Sequence, residues 1–282
     1  MKESKKHGMK SFRAYAHARL CIALELSAAA AAVILLSSLV FGEPTISTAP
    51  STVVGNTALV DAETNQIAGW VQDLRNPSPD VRKNSRTALV NAGARAVPFL
   101  LPVMSNRRFQ EGVIILIGEM GPAGIDRLLV DIKNPDLRNY AGLSLDQLVT
   151  SRDHARATSF LDCMKDPENK NYCGVALVKA MGPAAVSEIP LLRRALKDKD
   201  FEIRAYAATA LGQIGPKAGS SAPALVEALK DPQAQVRSCA AQSLGKLGRA
   251  AAIARPALQA ALKDQSEHVR QVARDALKRI HD

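Results

Sequence analysis

Apolar and polar positions in the last third of the chain follow a helical period that restarts every 33 residues. Between Pro223 and Gly248, Pro223 opens a short stretch, ALVEALK, and the pair Asp231-Pro232 breaks it. Val236, Ala240, Leu244 and Leu247 then recur at i, i+4, i+8 and i+11, one face of a helix. The pattern predicts two antiparallel helices, termed A and B, joined by a tight turn. Proline is tolerated in the first turn of A because the N–H it lacks would have no helical partner there. Gly248 supplies a C-cap for B, and Cys239, Ala240 and Ala241 are small enough to let a neighbouring helix approach.

The same positions recur in phase. Asp198, Asp231 and Asp264 are spaced by 33, as are Arg204, Arg237 and Arg270, and Leu211, Leu244 and Leu277. Pro190, Pro223 and Pro256 keep that spacing, and so do Gly182, Gly215 and Gly248. A unit of this size cannot bury its apolar stripe alone, so stacked neighbours must share a continuous core. The expected fold class is all-α: an α-solenoid of about seven antiparallel helix pairs, HEAT-like repeats, following an N-terminal transmembrane or signal helix. The middle units depart from the pattern. Around Leu137–Leu148 and Asn169–Met181 the Val-Arg dipeptide is degraded, with Leu137-Arg138 a partial match, while Asp166-Pro167 survives as a turn. The first and last pairs are expected to cap the array, and Ile67–Leu74 predicts only a short first A helix.

The string PALVEALKDPQAQVRSCAAQSLGKLG, residues 223–248, closely resembles a HEAT repeat of the phycobilisome-lyase-like HEAT proteins. The resemblance spans Gln66 to Asp282, strongest in the last three units and weaker near Pro77–Gly93. Such families place an Asp in the turn between A and B and an Arg six residues on. Asp198/Arg204, Asp231/Arg237 and Asp264/Arg270 match that spacing. The resemblance implies that these side chains form a structural ladder between neighbouring units.

Upstream of the repeats the pattern changes. Lys2, Lys5, Lys6, Lys10, Arg13 and Arg19 make residues 1–19 a basic tail. From Leu20 to Phe41 the chain is apolar apart from Glu25 and small serines. A helix of that length rises about 33 Å, enough for a hydrocarbon core of about 30 Å. Glu25 lies one turn inside the basic end, where it can reach the interface. The expectation is a membrane segment at 20–42 acting as an uncleaved signal anchor. The basic N-terminus would be cytoplasmic and the repeats extracytoplasmic. The alternative is a secretory signal cleaved after Gly42, releasing a soluble exported protein. Residues 43–65 are rich in Ser, Thr and Pro and read as a linker. That leaves 66–282 for the solenoid.

Composition narrows the function more than it names one. Aromatic residues make up only 4% of the chain, so the apolar content is mainly Ala, Leu, Val and Ile, which suits close-packed helices. The formal net charge is +10, and from Pro190 onward sixteen Lys/Arg stand against nine Asp/Glu. A basic surface there could meet an acidic protein, nucleic acid or anionic lipid, or could simply be solvated. No aromatics are interleaved with those charges, and the expected export of the array argues against nucleic acid.

No catalytic constellation emerges. His7, His154, His268 and His281 stand apart at no metal-binding spacing. Some HEAT proteins resembling deoxyhypusine hydroxylases hold iron through His-Glu dipeptides. Here Glu267-His268 runs in the reverse order. P-loop, GxGxxG and GxSxG motifs are missing from the sequence, so no cofactor, metal or catalytic residue is assigned.

Cys163 and Cys173 flank the turn near residue 168 almost symmetrically. They would be either a disulfide, if the array lies outside the reducing cytoplasm, or two buried small side chains. The candidate partner-binding surface is the side of the B helices opposite the core stripe: Thr209, Gln213, Ser238, Gln242, Lys246, Gln271, Asp275 and Arg279. These features favour a membrane-anchored protein-binding scaffold with an unidentified protein partner. The alternatives are a cofactor-handling or modifying enzyme resembling bilin lyases or deoxyhypusine hydroxylases, and a nucleic-acid-binding HEAT-like module.

Overall fold

A computed structural model describes residues 57–281. The basic tail at 1–19, the apolar segment at 20–42 and most of the expected linker lie outside the described residues. Fourteen α-helices follow in order, joined by turns and short 3₁₀ segments: α1 (Thr57–Asp73), α2 (Pro79–Ala92), α3 (Val97–Leu100), α4 (Arg107–Glu119), α5 (Pro122–Asp131), α6 (Arg138–Leu148), α7 (Ala157–Cys163), α8 (Lys170–Ala180), α9 (Ile189–Ala195), α10 (Phe201–Ile214), α11 (Ala222–Ala228), α12 (Ala234–Leu247), α13 (Arg255–Ala261) and α14 (Glu267–His281). Odd-numbered helices take the A position and even-numbered ones the B position. The described residues thus form seven hairpins in an α-solenoid. Each later B helix packs against the next, with α10 on α12 and α12 on α14.

The core is built from columns at the repeat pitch. Leu192, Leu225 and Leu258 of successive A helices are fully buried. On the B helices, Ala207, Ala240 and Ala273 form one buried column, and Ile214, Leu247 and Ile280 another. Leu211 and Leu244 are also fully buried, whereas Leu277, their counterpart in the last unit, is half-buried. Among the middle units Leu128 and Phe160 occupy the A-helix column and Leu145 and Leu177 the B-helix column, all with no exposed surface.

Small residues set the spacing between B helices. A Cβ added to Gly245 on α12 would stand 2.9 Å from the Cα of Ala276 on α14, nearer than backbone tolerates. The B helices therefore pass almost backbone to backbone. Ser243 uses the same proximity to donate from Oγ to the Ala208 carbonyl at 2.7 Å, satisfying a buried polar pair across two helices. Gly248 ends α12 with φ 58° and ψ −136°, a conformation that side chains with a Cβ rarely adopt. At the corresponding point before α7 there is no glycine. There Thr150 and Asp153 form a capping box, with the Thr150 amide donating to Asp153 Oδ2 at 2.9 Å.

One expectation needs correction. The first A helix is not short: α1 begins at Thr57, within the stretch read as linker, and runs 17 residues. Ile67 on α1 is buried, and Glu63 pairs with Arg95, so the end of the stretch read as a spacer, residues 57–65, belongs to the first helix of the solenoid. Pro79–Ser105 is the one helical stretch among the described residues long and apolar enough to cross a membrane by length and composition. It bends at Gly93 (φ 60°), and Leu89, Ala96, Val97, Leu100, Leu101 and Met104 are fully buried, so it serves the solenoid core.

The last unit closes the core with polar side chains. Ala205, Ala208 and Gly212 of α10, and Ser238, Ala241 and Gly245 of α12, are buried and small where the next B helix packs. The residues 33 positions on from the α12 set, on α14, are Gln271, Arg274 and Lys278, all exposed. A polar outer face of this kind caps a stacked array.

Candidate functional site

Two repeated arrangements dominate the polar chemistry. The first is a ladder at the turns between A and B helices. Arg204 forks onto Asp231 of the next unit, with Nε 2.6 Å from Oδ2 and Nη2 2.9 Å from Oδ1. Its remaining nitrogen, Nη1, donates to the carbonyls of Asp198 and Lys199 in its own turn. Arg237 repeats this with Asp264, at 2.7 and 2.8 Å, and with the carbonyls of Asp231 and Pro232. Arg270 holds the Asp264 and Gln265 carbonyls.

Each Asp also works within its own unit. Asp198, Asp231 and Asp264 each accept from the amide two residues on, at 2.8–2.9 Å. Such turns let short carboxylates stand in for backbone acceptors. The Arg237 fork holds the Asp264 carboxyl below the usual carboxylate range, aided by the Ser266 amide. Burial pushes Asp231 up, but the bonds from Arg204 and the Gln233 amide outweigh it and leave the group lowered.

In the middle units the ladder cation has slipped. Arg138 and Lys170 stand four residues after Asn134 and Asp166, and tyrosines occupy the position held elsewhere by arginine. Lys170 bridges to Asp200 and, at 2.8 Å, to Glu202 of the next unit. Arg138 approaches Asp166 at 3.9 Å and Glu168 at 3.6 Å. Tyr172 lies against Gly142 of the preceding B helix, and Tyr206, two residues after Arg204, lies against Gly174. Burial pushes the Tyr206 phenol well up.

The second arrangement is the B-helix face. Gln213, Gln242, Lys246 and Asp275 are half-buried, and Gln271 and Arg279 are exposed. Lys246 Nζ reaches Gln213 Oε1 at 3.4 Å across two units, and Lys179 reaches Asp146 at the same distance in the units before. Asp275 accepts from Gln271 at 3.1 Å and pairs with Lys278 at 3.2 Å, which holds its carboxyl low.

Thr209 and Ser238 are not on this surface. Both are 2% exposed, and their hydroxyls bond back to the Ala205 and Gln235 carbonyls at 2.9 Å. An inner B helix is flanked by both neighbouring B helices and its own A helix, so α10 is buried without a break from Ala205 to Gly212. A helical wheel that assumes one buried face misplaces such residues. The accessible strip is narrower, running through Gln213, Gln242, Lys246, Gln271, Asp275 and Arg279.

Cys163 at the end of α7 and Cys173 on α8 form a disulfide with Cα atoms 6.0 Å apart. It ties the two helices of the fourth hairpin together. Cys239 is buried on α12. Asp131 at the end of α5 is a buried carboxylate whose pKa burial raises, against Arg127 at 2.9 Å. No group of three or more His, Cys, Asp and Glu suited to a metal occurs among the described residues.

A family model described as HEAT repeats matches residues 188–278, the last three hairpins. No curated protein matches the sequence. Among solved structures, an engineered protein is 17% identical with a TM-score of 0.44, covering 77% of this chain and 97% of its own. A designed armadillo repeat protein is 15% identical with a TM-score of 0.39, covering 76% and 99% respectively. Human deoxyhypusine hydroxylase in complex with glycerol is 18% identical with a TM-score of 0.27, covering 80% and 98%. Residues 188–278 match HEAT repeats, and the hairpins before them continue the same α-solenoid.

Proposed function

We propose that the protein is a non-enzymatic, membrane-anchored scaffold whose solenoid holds a protein partner along the B-helix face, outside the cytoplasm. The carrying observation is the division of labour among repeated polar side chains. The turn arginines and aspartates are spent on each other, whereas the strip from Gln213 to Arg279 presents amides and charges at the repeat pitch. Such a surface suits recognition of an extended polar partner. The Cys163–Cys173 bridge supports an oxidising compartment. The apolar stretch from Leu20 to Phe41, behind a basic tail, supports a membrane tether. Kinship with the phycobilisome-lyase-like HEAT proteins belongs to the same proposal and rests on the turn Asp and Arg spacing.

Photo-crosslinking tests the face directly. A benzophenone amino acid at Gln242 or Gln271 should crosslink a discrete protein in intact cells. The same group at Gln259, exposed on the A-helix side, should not. Equal crosslinking from both sides, or none from either B-face position, would sink the assignment.

A further inference from the structure

A third column runs beside the ladder, and the proposed scaffold role does not use it. Lys133, Lys165, Lys197, Lys230 and Lys263 occupy the same place in five successive units, one residue before the turn Asn or Asp. Their backbones are fixed alike, each amide donating to the carbonyl three residues back at 2.9–3.2 Å. All five side chains are exposed. Lys165 and Lys230 touch acids of their own helices, Asp162 and Glu227, in pairs open to water.

Two of the turn acids beside the column are committed elsewhere. Asp231 and Asp264 are drawn beneath the edge by Arg204 and Arg237 and are only 9% and 11% exposed, against 69% for Lys230. In the fifth unit Arg193, Arg194 and Lys199 add exposed charge near the same turn. The edge therefore carries a regular line of exposed cations, with Asp231 and Asp264 beside it turned inward and only the water-open acids Asp162 and Glu227 in contact with Lys165 and Lys230.

We propose that this turn edge docks onto anionic phospholipid headgroups, a reading that rests on the membrane tether proposed above. Lysine ammonium is a compact, hydrated point charge on a flexible stem, suited to a diffuse sheet of phosphates, whereas arginine, whose fork fits a single carboxylate, fills the inner column. A row repeated unit by unit offers many ammonium groups to a surface that itself repeats its charge. Residues 43–56, between the apolar segment and α1, span at most about 50 Å, so a tethered solenoid stays close to the bilayer. Attraction to an anionic leaflet then acts within a Debye length of about 8–10 Å.

The test is lysine footprinting on the full chain, reconstituted in vesicles of phosphatidylcholine alone or with about 30% phosphatidylglycerol. Acetylation by a soluble amine reagent is read residue by residue by mass spectrometry. In anionic vesicles Lys197, Lys230 and Lys263 should react at least roughly threefold more slowly than in neutral ones. Lys246 on the B-helix face should be unchanged. The protection should vanish at about 0.5 M salt. In K197Q/K230Q/K263Q, protection of Lys133 and Lys165 should fall as well.

Equal reactivity in the two vesicle types would overturn the proposal. So would protection by soluble poly-glutamate with none by anionic vesicles, which would assign the edge to an acidic protein. The tether is read separately, by flotation with neutral vesicles. A chain that fails to float there yet shows lysine protection on anionic vesicles would lose the anchor but keep the docking edge.

Discussion

Replacing Leu244 with alanine is expected to cost about 2–5 kcal/mol of folding stability, a large share of what a domain of this size has. The side chain is fully buried on α12, a helix that packs between α10 and α14. Close packing of Gly245 against Ala276 and of Ser243 against Gly212 leaves the backbone little room to collapse into the void. Leu277→Ala, at the equivalent position of the capping unit, should cost clearly less because Leu277 is only half-buried. Denaturant unfolding followed by helical circular dichroism measures both. Equal losses, or an unchanged midpoint for Leu244→Ala, would mean that the helix phase is wrong.

Arg237→Met is expected to cost about 2–3 kcal/mol near neutral pH. It removes the forked bond to Asp264 and the clasp on the Asp231 and Pro232 carbonyls, leaving a carboxylate that is 11% exposed without its cation. The pair is part-buried, which keeps the figure below that for a fully buried ion pair. The pH dependence follows from the lowered pKa of Asp264. A group whose folded pKa lies below its unfolded value, near 3.9 for Asp, contributes stability that is present above that value. The contribution is lost as pH falls through the folded pKa. The gap between the parent protein and Arg237→Met should therefore be widest around neutrality and narrow as the solution is taken below about pH 4. A gap that stayed constant would show that the carboxylate is not what the arginine stabilises.

These positions could be identified from sequence because each unit repeats its own solution. Asp231 and Arg237 stand out only when Asp198, Arg204, Asp264 and Arg270 are set beside them. The direction of the bond, from one arginine to the next unit's aspartate, needs the coordinates. Where the units diverge, the phase no longer guides the eye. Lys170 does the ladder's work two positions early, and Tyr172 fills the vacated place against Gly142. The burial of Thr209 and Ser238 was hidden for a different reason. Their neighbours are helices of other units, so no periodicity within one helix reports them. Helix α1 was obscured by the polar residues Asp61, Glu63, Thr64 and Asn65, which read as linker in the sequence.

The lysine edge and the B-helix strip share a lesson about charge. The bulk excess of Lys and Arg after Pro190 points to any polyanion. Once Arg204 and Arg237 are seen bound to Asp231 and Asp264, the excess resolves into an inner arginine column forked onto inward-turned carboxylates and an outer lysine column open to water.

The central claim is a solenoid held outside the cytoplasm by its N-terminal segment. The most direct test places reporters active only inside or only outside the cytoplasm after Asp282, with the mass of the mature chain and the thiol state of Cys163 and Cys173 read from the same cells. The account predicts an external C-terminus, an intact N-terminus and an oxidised pair. A chain beginning near Glu43 would replace the anchor with an exported soluble scaffold. A cytoplasmic C-terminus with both thiols reduced would contradict the account.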